Sequence, residues 1–263
     1  MAAPAYRFTN AAAYERYMAR WSRAVGADFL DWLDAPHGAR WLDVGCGTGV
    51  FTALIVERCE PRQAIAIDPA QAQIDHARAE PVSAHADFRV ADAQALPFDA
   101  GGFDVVAAAL ALNFIPDRAK ALAEMRRVAR PGALIAACVW NFEADLSPSG
   151  PLRRALRVAG VEVPPVPGTP SSGLRALRTL FADAGLEGIV SRVIDVAMPF
   201  PDFEAFWHAQ ALSYGPLAKT IDALPEESLE RVREAMRSDL LPRGDGTFEC
   251  RARAHAILAR VPD

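Results

Sequence analysis

The chain has few cysteines, no long apolar run and no excess of basic charge. Its 263 residues include four cysteines, which form no C-x-x-C pair and show no metal-ligand spacing relative to the five histidines. We therefore expect no structural metal and predict a reduced, cytoplasmic location. The most apolar stretches, residues 105–112 and 134–139, are shorter than a bilayer requires, and residues 1–10 hold no signal-peptide core.

The charge balance is slightly acidic. There are 28 basic and 33 acidic residues, which give a net charge of -5. Such a chain offers no general basic field to a polyanion, although a local basic patch on the fold stays open. We therefore do not expect nucleic acid or a membrane as partner. The 51% of hydrophobic residues predicts a soluble protein with one sizeable core, or one core plus a small appendage.

Short apolar runs alternate with helical patterns through the first half of the chain. An amphipathic stretch, residues 11–32, comes first and predicts an N-terminal helix. Because the runs are too short for helices and apolar on both faces, they predict buried strands of a parallel sheet with right-handed crossovers. The predicted strands are residues 39–44, 63–67, 88–91, 103–109 and 134–140, and the helices between them are residues 50–59, 69–80 and 117–129.

The alternation of short apolar runs and helical patterns is interrupted after residue 140. Residues 147–173 hold a proline and glycine cluster that predicts an irregular connection. A helix at 174–184 and a strand at 189–196 follow, and residues 201–245 read as a helical insertion before a final strand near 247–261. We predict one α/β domain with a doubly wound, mostly parallel seven-stranded sheet. We divide it into residues 1–38 as a helical lid, 39–141 as the cofactor-binding half, 142–200 as an irregular connection with a helix and a strand, 201–245 as a helical substrate insertion and 246–263 as the final strand.

A glycine-rich turn, Gly45-Cys46-Gly47-Thr48-Gly49, follows the first strand and opens a helix. Glycines let backbone and ligand approach closely there. The dinucleotide fingerprint G-x-G-x-x-G would require a glycine where Val50 stands. Asp43 also precedes the turn. Its negative charge there would repel a pyrophosphate and attract a cation. These features favour S-adenosylmethionine, a sulfonium without phosphate, over a nicotinamide dinucleotide, unless Asp43 serves only to order the turn.

Two further acids stand at the ends of the next strands. Asp68 lies roughly 20 residues past the loop, where a carboxylate can accept both ribose hydroxyls of an adenosine ligand. Asp92 follows the third strand and can accept from an adenine amino group. Each acid alone is also an ordinary cap or turn residue, but ligands of such sheets bind at this edge.

These motifs resemble class I S-adenosylmethionine-dependent methyltransferases, and among them the ubiquinone and menaquinone biosynthesis group. The resemblance spans residues 39–141 and is carried by residues 42–49, Asp68 and residues 92–98, 103–106 and 124–132. It implies a Rossmann-like methyltransferase fold and S-adenosylmethionine as cofactor, with S-adenosylhomocysteine as product. The cofactor-binding residues that it implies, together with the acid of the turn, are Asp43, Gly45, Cys46, Gly47, Asp68, Pro69, Asp92, Ala93, Leu110, Tyr17 and Trp21.

No residue stands out as a general base. Methyl transfer is an in-line displacement in which positioning and exclusion of water supply much of the catalysis, and a base is needed only if the acceptor must lose a proton. His208, Asn113 and Tyr214 are weak candidates, because each is also explained as a structural or surface residue. Tyr17 and Trp21 belong to the predicted lid helix, where aromatics fill the core more often than they cover a ligand.

The acceptor is less defined than the cofactor. Residues 111–116 depart from the Asn/Asp-Pro-Pro-aromatic motif of methyltransferases acting on amino groups of adenine or glutamine. We expect a small, partly apolar metabolite. A protein or nucleic-acid methyltransferase, a nucleotide-dependent oxidoreductase and a noncatalytic cofactor-binding module stay as alternatives.

Overall fold

The structure is a computed structural model that describes residues 11–211, 216–240, 244 and 246–263, with side chains from Met18 onward except those of residues 211, 216, 218 and 219. The strands are β1 (Arg40–Val44), β2 (Gln63–Asp68), β3 (Asp87–Val90), β4 (Phe103–Ala109), β5 (Ala129–Trp140), β6 (Glu187–Phe200) and β7 (Phe248–Arg260). The helices are α1 (Ala11–Leu33), α2 (Val50–Cys59), α3 (Gln71–Ala79), α4 (Arg118–Val128), α5 (Gly150–Val158), α6 (Leu174–Asp183), α7 (Phe203–Ala211), α8 (Pro216–Asp222) and α9 (Glu226–Asp239).

The seven strands form one sheet in the order β3-β2-β1-β4-β5-β7-β6. The first five are parallel, and β7 runs antiparallel to both β5 and β6. The predicted doubly wound, mostly parallel sheet is therefore confirmed. The strand order reverses between β1 and β4, and ligands of such sheets bind beyond the strand ends at that point.

Two hydrophobic layers cover the sheet because successive side chains of a buried strand point to opposite faces. Trp41 of β1 packs in the layer that also holds residues of α1, α2 and α9, whereas its neighbour Leu42 packs in the layer with residues of α4 and α6. Both side chains are fully buried. Continuous apolar strands are therefore needed at the centre of the sheet, as the sequence pattern indicated.

Helix α1 packs closely on α2. A Cβ atom at Gly26 would lie 2.9 Å from Cδ1 of Leu54, so the two helices approach through a position without a side chain. Phe29 and Phe51 stack beside it with ring centroids 5.7 Å apart. The N-terminal helix is thereby fixed to the helix that follows the glycine turn.

The second half of the chain differs from the sequence prediction in one place. Residues 147–173 were expected to be irregular, yet α5 lies within them. Pro151 is in its first turn, where the missing N–H of proline costs no hydrogen bond. Leu152 and Leu156 of the same helix are fully buried, so packing of one apolar face outweighs the local proline and glycine content.

The predicted helical insertion corresponds to α7, α8 and α9, and it packs on the sheet edge. Phe203, Phe206 and Trp207 are buried in the same hydrophobic cluster as Val232 and Met236 of α9. Among the described residues, no helix combines the length and apolar character needed to cross a membrane.

Candidate active site

A cleft of about 290 Å³ opens where the strand order reverses. Its walls come from the ends of β1, β2, β3 and β4, from the loops and helices that follow them, and from one residue of α1. The lining residues are Ser22, Gly45, Cys46, Gly47, Thr48, Val50, Phe51, Ile67, Asp68, Pro69, Ala70, Gln73, Ala91, Asp92, Ala93, Gln94, Ala109, Leu110, Ala111, Phe114, Ile115 and Pro116. This volume is at the lower end of the range of small-molecule sites.

The glycine turn requires glycine for two separate reasons. Gly45 and Gly47 both have a positive φ, of 79° and 54°, which L side chains rarely adopt. A Cβ atom at Gly45 would also lie 2.4 Å from the Cβ of Ala111, whereas one at Gly47 would meet nothing within 4 Å. Gly45 therefore lets the loop after β4 approach the turn, and Gly47 supplies only backbone conformation.

Asp68, at the end of β2, is held in place by the backbone around it. One carboxylate oxygen accepts from the backbone N–H of Gly47 at 3.1 Å, and the other accepts from that of Ala70 at 2.9 Å. Burial raises the pKa of this carboxyl group, and the two backbone hydrogen bonds oppose that rise. The side chain is thus held in one orientation at the cleft wall, with lone pairs left for a ligand that donates hydrogen bonds.

Asp43 is placed differently from Asp68. It is 1% exposed, lies beneath the turn and does not line the cleft. One oxygen accepts from the Thr52 hydroxyl at 2.7 Å, and the other has no hydrogen-bond partner. Burial, against the lowering effect of the Thr52 bond and with a further contribution from Asp68, raises the pKa of Asp43 to about 7.

The loop after β3 is tied to helix α4. The backbone N–H of Leu96 donates to the Glu124 carboxylate at 2.8 Å, and Arg127 donates to the carbonyls of Leu96 and Phe98 at 3.0 and 2.8 Å. The exposed Asp92 carboxylate accepts from the Gln94 backbone N–H at 2.9 Å. The motif at residues 124–132 thus fixes the loop that presents Asp92 and Ala93 to the cleft.

The opposite wall of the cleft is apolar. Leu110 has a φ of 59°, a left-handed conformation that costs a non-glycine residue about 1–3 kcal/mol, and its N–H donates to the Cys138 carbonyl at 2.8 Å. Phe114, Ile115 and Pro116 continue this wall. Strain at a cleft residue of this kind points to a geometric requirement at that position.

The structure brings most of the predicted cofactor-binding residues to this cleft, and it places the others elsewhere. Gly45, Cys46, Gly47, Asp68, Pro69, Asp92, Ala93 and Leu110 line it. Trp21 is 1% exposed and packs edge to face on Trp140, with ring centroids 6.4 Å apart, so it belongs to the core. The side chain of Tyr17 and the whole of Tyr214 lie outside the described residues.

The two described base candidates also lie away from the cleft lining. His208 is exposed on α7, where its Nδ1 lies 2.7 Å from the carbonyl of Glu204. Asn113 is 1% exposed, and its amide donates to the Pro167 carbonyl at 3.3 Å. Their surroundings match the surface and structural explanations given for these residue types.

Sequence reasoning missed two polar residues of the cleft, Ser22 and Gln73. Each has a buried side-chain oxygen without a hydrogen-bond partner. The period of α1 and α3 can identify their buried faces, but it does not say which polar residue meets a cleft.

The charges in the cleft have one sign. Among the described lining residues, the charged types are the acids Asp68 and Asp92, and lysine, arginine and histidine do not occur. The Cys46 thiol also lines the cleft, and burial, followed by the charges of Asp43 and Asp68, raises its pKa well above the usual value. Within the described part of the chain, no group of three His, Cys, Asp or Glu residues is placed to hold a metal.

The comparison with protein families identifies a methyltransferase domain, matched by residues 42–137. This segment contains the glycine turn, Asp68, Asp92 and α4.

Curated relatives resemble the same part of the chain. The biotin biosynthesis bifunctional protein of Cellvibrio japonicus is 38% identical over 49% of this chain and 25% of its own length. The ubiquinone/menaquinone biosynthesis C-methyltransferase of Dinoroseobacter shibae is 34% identical over 39% of this chain and 43% of its own. The chain thus spans from a quarter to about half of the length of the curated relatives it matches.

A solved structure shares the whole fold. The phosphoethanolamine N-methyltransferase 2 of Haemonchus contortus, solved with S-adenosyl-L-methionine, has a TM-score of 0.60 and 16% identity, and the match covers 99% of this chain and 58% of that one. Together these findings confirm the resemblance of the chain to class I methyltransferases of the ubiquinone and menaquinone group and confirm the Rossmann-like methyltransferase fold.

Proposed function

We propose that this chain, whose residues 42–137 form a class I methyltransferase domain, transfers a methyl group from S-adenosylmethionine to a small, partly apolar metabolite. The observation that carries the proposal is the preset Asp68 carboxylate at the switch point of the sheet. The family match and the solved relative with S-adenosylmethionine support the choice of cofactor.

The residues of the cleft fit this cofactor. Asp68 accepts from the ribose hydroxyls. Backbone N–H groups hold its two oxygens in one orientation, and each oxygen keeps a lone pair for the ligand. Gly45 and Gly47 bring the backbone of the turn close to the methionine portion. Asp92 and the backbone of Ala93 follow the neighbouring strand β3, where they bind the adenine. The loop that carries them is fixed by Glu124 and Arg127.

The electrostatics of the cleft also suit a cation. The sulfonium supplies an electrophilic methyl group when the cofactor is bound. The acid Asp68 lies in the cleft wall, and Asp43 beneath the turn adds a second negative charge when it is ionised. An ionised Asp43 is favoured when a positive charge comes close, because its own burial otherwise favours the neutral acid.

Positioning and exclusion of water carry the reaction in this proposal. Leu110, Phe114 and Ile115 form an apolar wall that desolvates an acceptor and orients it. The described lining residues include no histidine, lysine or tyrosine that would serve as a base. The acceptor that fits best is therefore a nucleophile that is neutral or ionises without help, and the lack of a lining cation disfavours a phosphorylated or carboxylated reacting end.

A transfer assay tests the proposal. The protein is incubated with S-adenosylmethionine labelled in the methyl group and with a panel of neutral phenols, amines and quinols, alongside carboxylated and phosphorylated analogues. We expect label in products of the uncharged acceptors, with one S-adenosylhomocysteine formed per methyl group transferred. Cofactor binding without label in any acceptor would instead support a noncatalytic cofactor-binding module, and labelled protein or nucleic acid would redirect the substrate class.

A further inference from the structure

The loop that follows β4 is held between two glycines from distant parts of the chain. On one side, a Cβ atom at Gly45 would lie 2.4 Å from the Cβ of Ala111. On the other side, a Cβ atom at Gly168 would lie 2.3 Å from the carbonyl oxygen of Asn113. Gly168 also has a positive φ, of 71°, and lies in the connection between α5 and α6. A side chain at either glycine would therefore displace the loop.

Asn113 makes a second contact with the same connection. It is 1% exposed, and its amide donates to the Pro167 carbonyl at 3.3 Å. Arg118 donates to the carbonyls of Asn113 and Ile115 at 3.2 and 3.4 Å. The residue between these two carbonyls is Phe114, which belongs to the apolar wall of the cleft. Asn113 itself does not line the cleft, so these contacts lie behind the wall.

The connection is itself fixed to the sheet. Ser172 is fully buried, and its hydroxyl accepts from the Glu143 backbone N–H at 3.1 Å and donates to the Thr169 carbonyl at 2.7 Å. Nδ1 of His255 lies 2.7 Å from the Ser172 carbonyl oxygen. Residues 166–172 are therefore tied to the segment after β5 and to β7, so they can support a wall that leans on them.

We propose that the contact between Gly168 and Asn113 positions the apolar wall and thereby limits the size of the acceptor that the cleft admits. This inference rests on the proposed function. Both are positioning residues, since neither lines the cleft. A small displacement of the wall changes how an acceptor meets the methyl donor, and one methylene group in an apolar pocket changes kcat/KM by about 10- to 200-fold.

The variant Gly168→Ala tests this role, with Gly160→Ala as its matched control. Gly160 lies in the same connection at a φ of 76°, but a Cβ atom there would meet nothing within 4 Å. The two variants share the backbone strain, and only Gly168→Ala pushes on Asn113. Transfer from S-adenosylmethionine labelled in the methyl group is measured with the uncharged acceptor that the wild type methylates fastest. Two homologues of that acceptor, one smaller and one larger by a methyl group, are measured beside it.

Gly168→Ala should lower kcat/KM for the larger homologue relative to the smaller one by about 10-fold, because the displaced wall narrows the cleft. Gly160→Ala should keep the wild-type ratio within about two-fold. Calorimetric titration should show binding of S-adenosylhomocysteine within about three-fold of the wild type for both variants, since the contact at Gly45 is unchanged.

Asn113→Ala is a second variant, and it decides the test if Gly168→Ala does not fold. It removes the amide bond to Pro167 without adding a group behind the wall. The wall is then held less firmly, and the wild-type ratio of kcat/KM between the two homologues should move at least about three-fold toward one. Binding of S-adenosylhomocysteine should again stay within about three-fold.

Four outcomes overturn the inference. Wild-type acceptor ratios in the folded variants of Gly168 and Asn113 refute it and leave the proposed function intact. The same shift in Gly160→Ala would assign the effect to backbone strain in the connection. A loss of S-adenosylhomocysteine binding as large as the loss of transfer would show that the whole site is disrupted. A folded wild type that methylates no acceptor refutes the proposed function and this inference with it.

Discussion

Residues 39–141 and residues 142–263 contribute to the same sheet but differ in what their polar side chains do. Apart from Ser22, every described residue that lines the cleft comes from the first region. There, the Asp68 carboxylate lines the cleft, and Gln73 and Asp43 each keep a buried oxygen without a hydrogen-bond partner. The first region is therefore where structural order and ligand binding depend on the same residues.

Charged groups of the second region, in contrast, pair with other groups of the protein. Arg154 donates to the Asp145 carbonyl and to the Asp239 carboxylate, which joins α5 to α9. The guanidinium of Arg233 lies 4.9 Å from the centre of the Trp207 ring. These contacts join α5 and α7 to α9. Because its charges are paired within the protein, we interpret this region as a support for the site and not as a part of it. The predicted substrate role of residues 201–245 stays a prediction.

The strongest test of this comparison is the substitution Gly45→Ala, with Gly47→Ala as control. Both introduce a side chain at a positive φ, which costs about 1–2 kcal/mol. Gly45→Ala also forces its Cβ against Ala111, at a further cost of about 1–3 kcal/mol. Denaturant unfolding should show the larger loss for Gly45→Ala, together with weakened binding of S-adenosylhomocysteine. Equal losses for the two variants would contradict the close approach at Gly45.

The next largest effect is a pH dependence at Asp43. Its pKa is raised from 3.8 to about 7, so the folded state holds this proton more tightly than the unfolded chain does. The stabilisation is therefore full below pH 3.8 and is lost as the pH rises to about 7. Between pH 5 and pH 8 the wild type should lose about 3 kcal/mol relative to Asp43→Asn, at 1.36 kcal/mol per pKa unit. A pH-independent difference in unfolding free energy would show that Asp43 is ionised throughout.

A smaller effect is expected at Arg127, which fixes the loop bearing Asp92. Arg127→Ala removes the bonds to the carbonyls of Leu96 and Phe98. Because the side chain is partly exposed, we expect a loss of only about 1–2 kcal/mol in stability and a few-fold weaker binding of S-adenosylhomocysteine. Arg126→Ala is the control, since Arg126 donates to Ala184 instead of the loop. Equal weakening of ligand binding by both variants would show that the loop bearing Asp92 does not explain the effect of Arg127.

The smallest effect is expected at His208 in the second region. It is exposed, and its ring contacts the Glu204 carbonyl of its own helix. His208→Ala should change unfolding free energy by less than about 0.5 kcal/mol and leave methyl transfer within about two-fold. A ten-fold fall in kcat at unchanged stability would show that His208 takes part in methyl transfer. It would contradict the difference drawn between the two regions.

The two regions also differed in how well the sequence predicted them. In the first, the strand at 103–109 and the helix at 50–59 match β4 and α2, because apolar runs and a glycine turn determine them locally. In the second, α5 lies in a segment whose prolines and glycines predicted irregular structure. Its buried face depends on packing against α9, which is distant in sequence.

The sequence predicted which residue types form the site better than it predicted where their side chains lie. The turn and the acids at successive strand ends meet at one cleft because parallel strands end at one sheet edge. The sequence did not indicate that Asp43 is buried under the turn, and it left open whether Trp21 covers the cofactor or packs in the core, where the structure places it. Helix phase and the relative position of α1 decide such placements. The roles of these residues toward the cofactor stay predictions.

The central claim is that Asp68 organises a cleft for S-adenosylmethionine. The most direct measurement is calorimetric titration of the wild type and Asp68→Ala with S-adenosylmethionine, S-adenosylhomocysteine and NADH. We expect saturable binding of both adenosyl-sulfur ligands to the wild type, no binding of NADH, and at least about ten-fold weaker binding to Asp68→Ala, because hydrogen bonds to a carboxylate contribute about 1.5–3 kcal/mol. Binding of NADH, or equal binding of the adenosyl ligands by both proteins, would contradict the account.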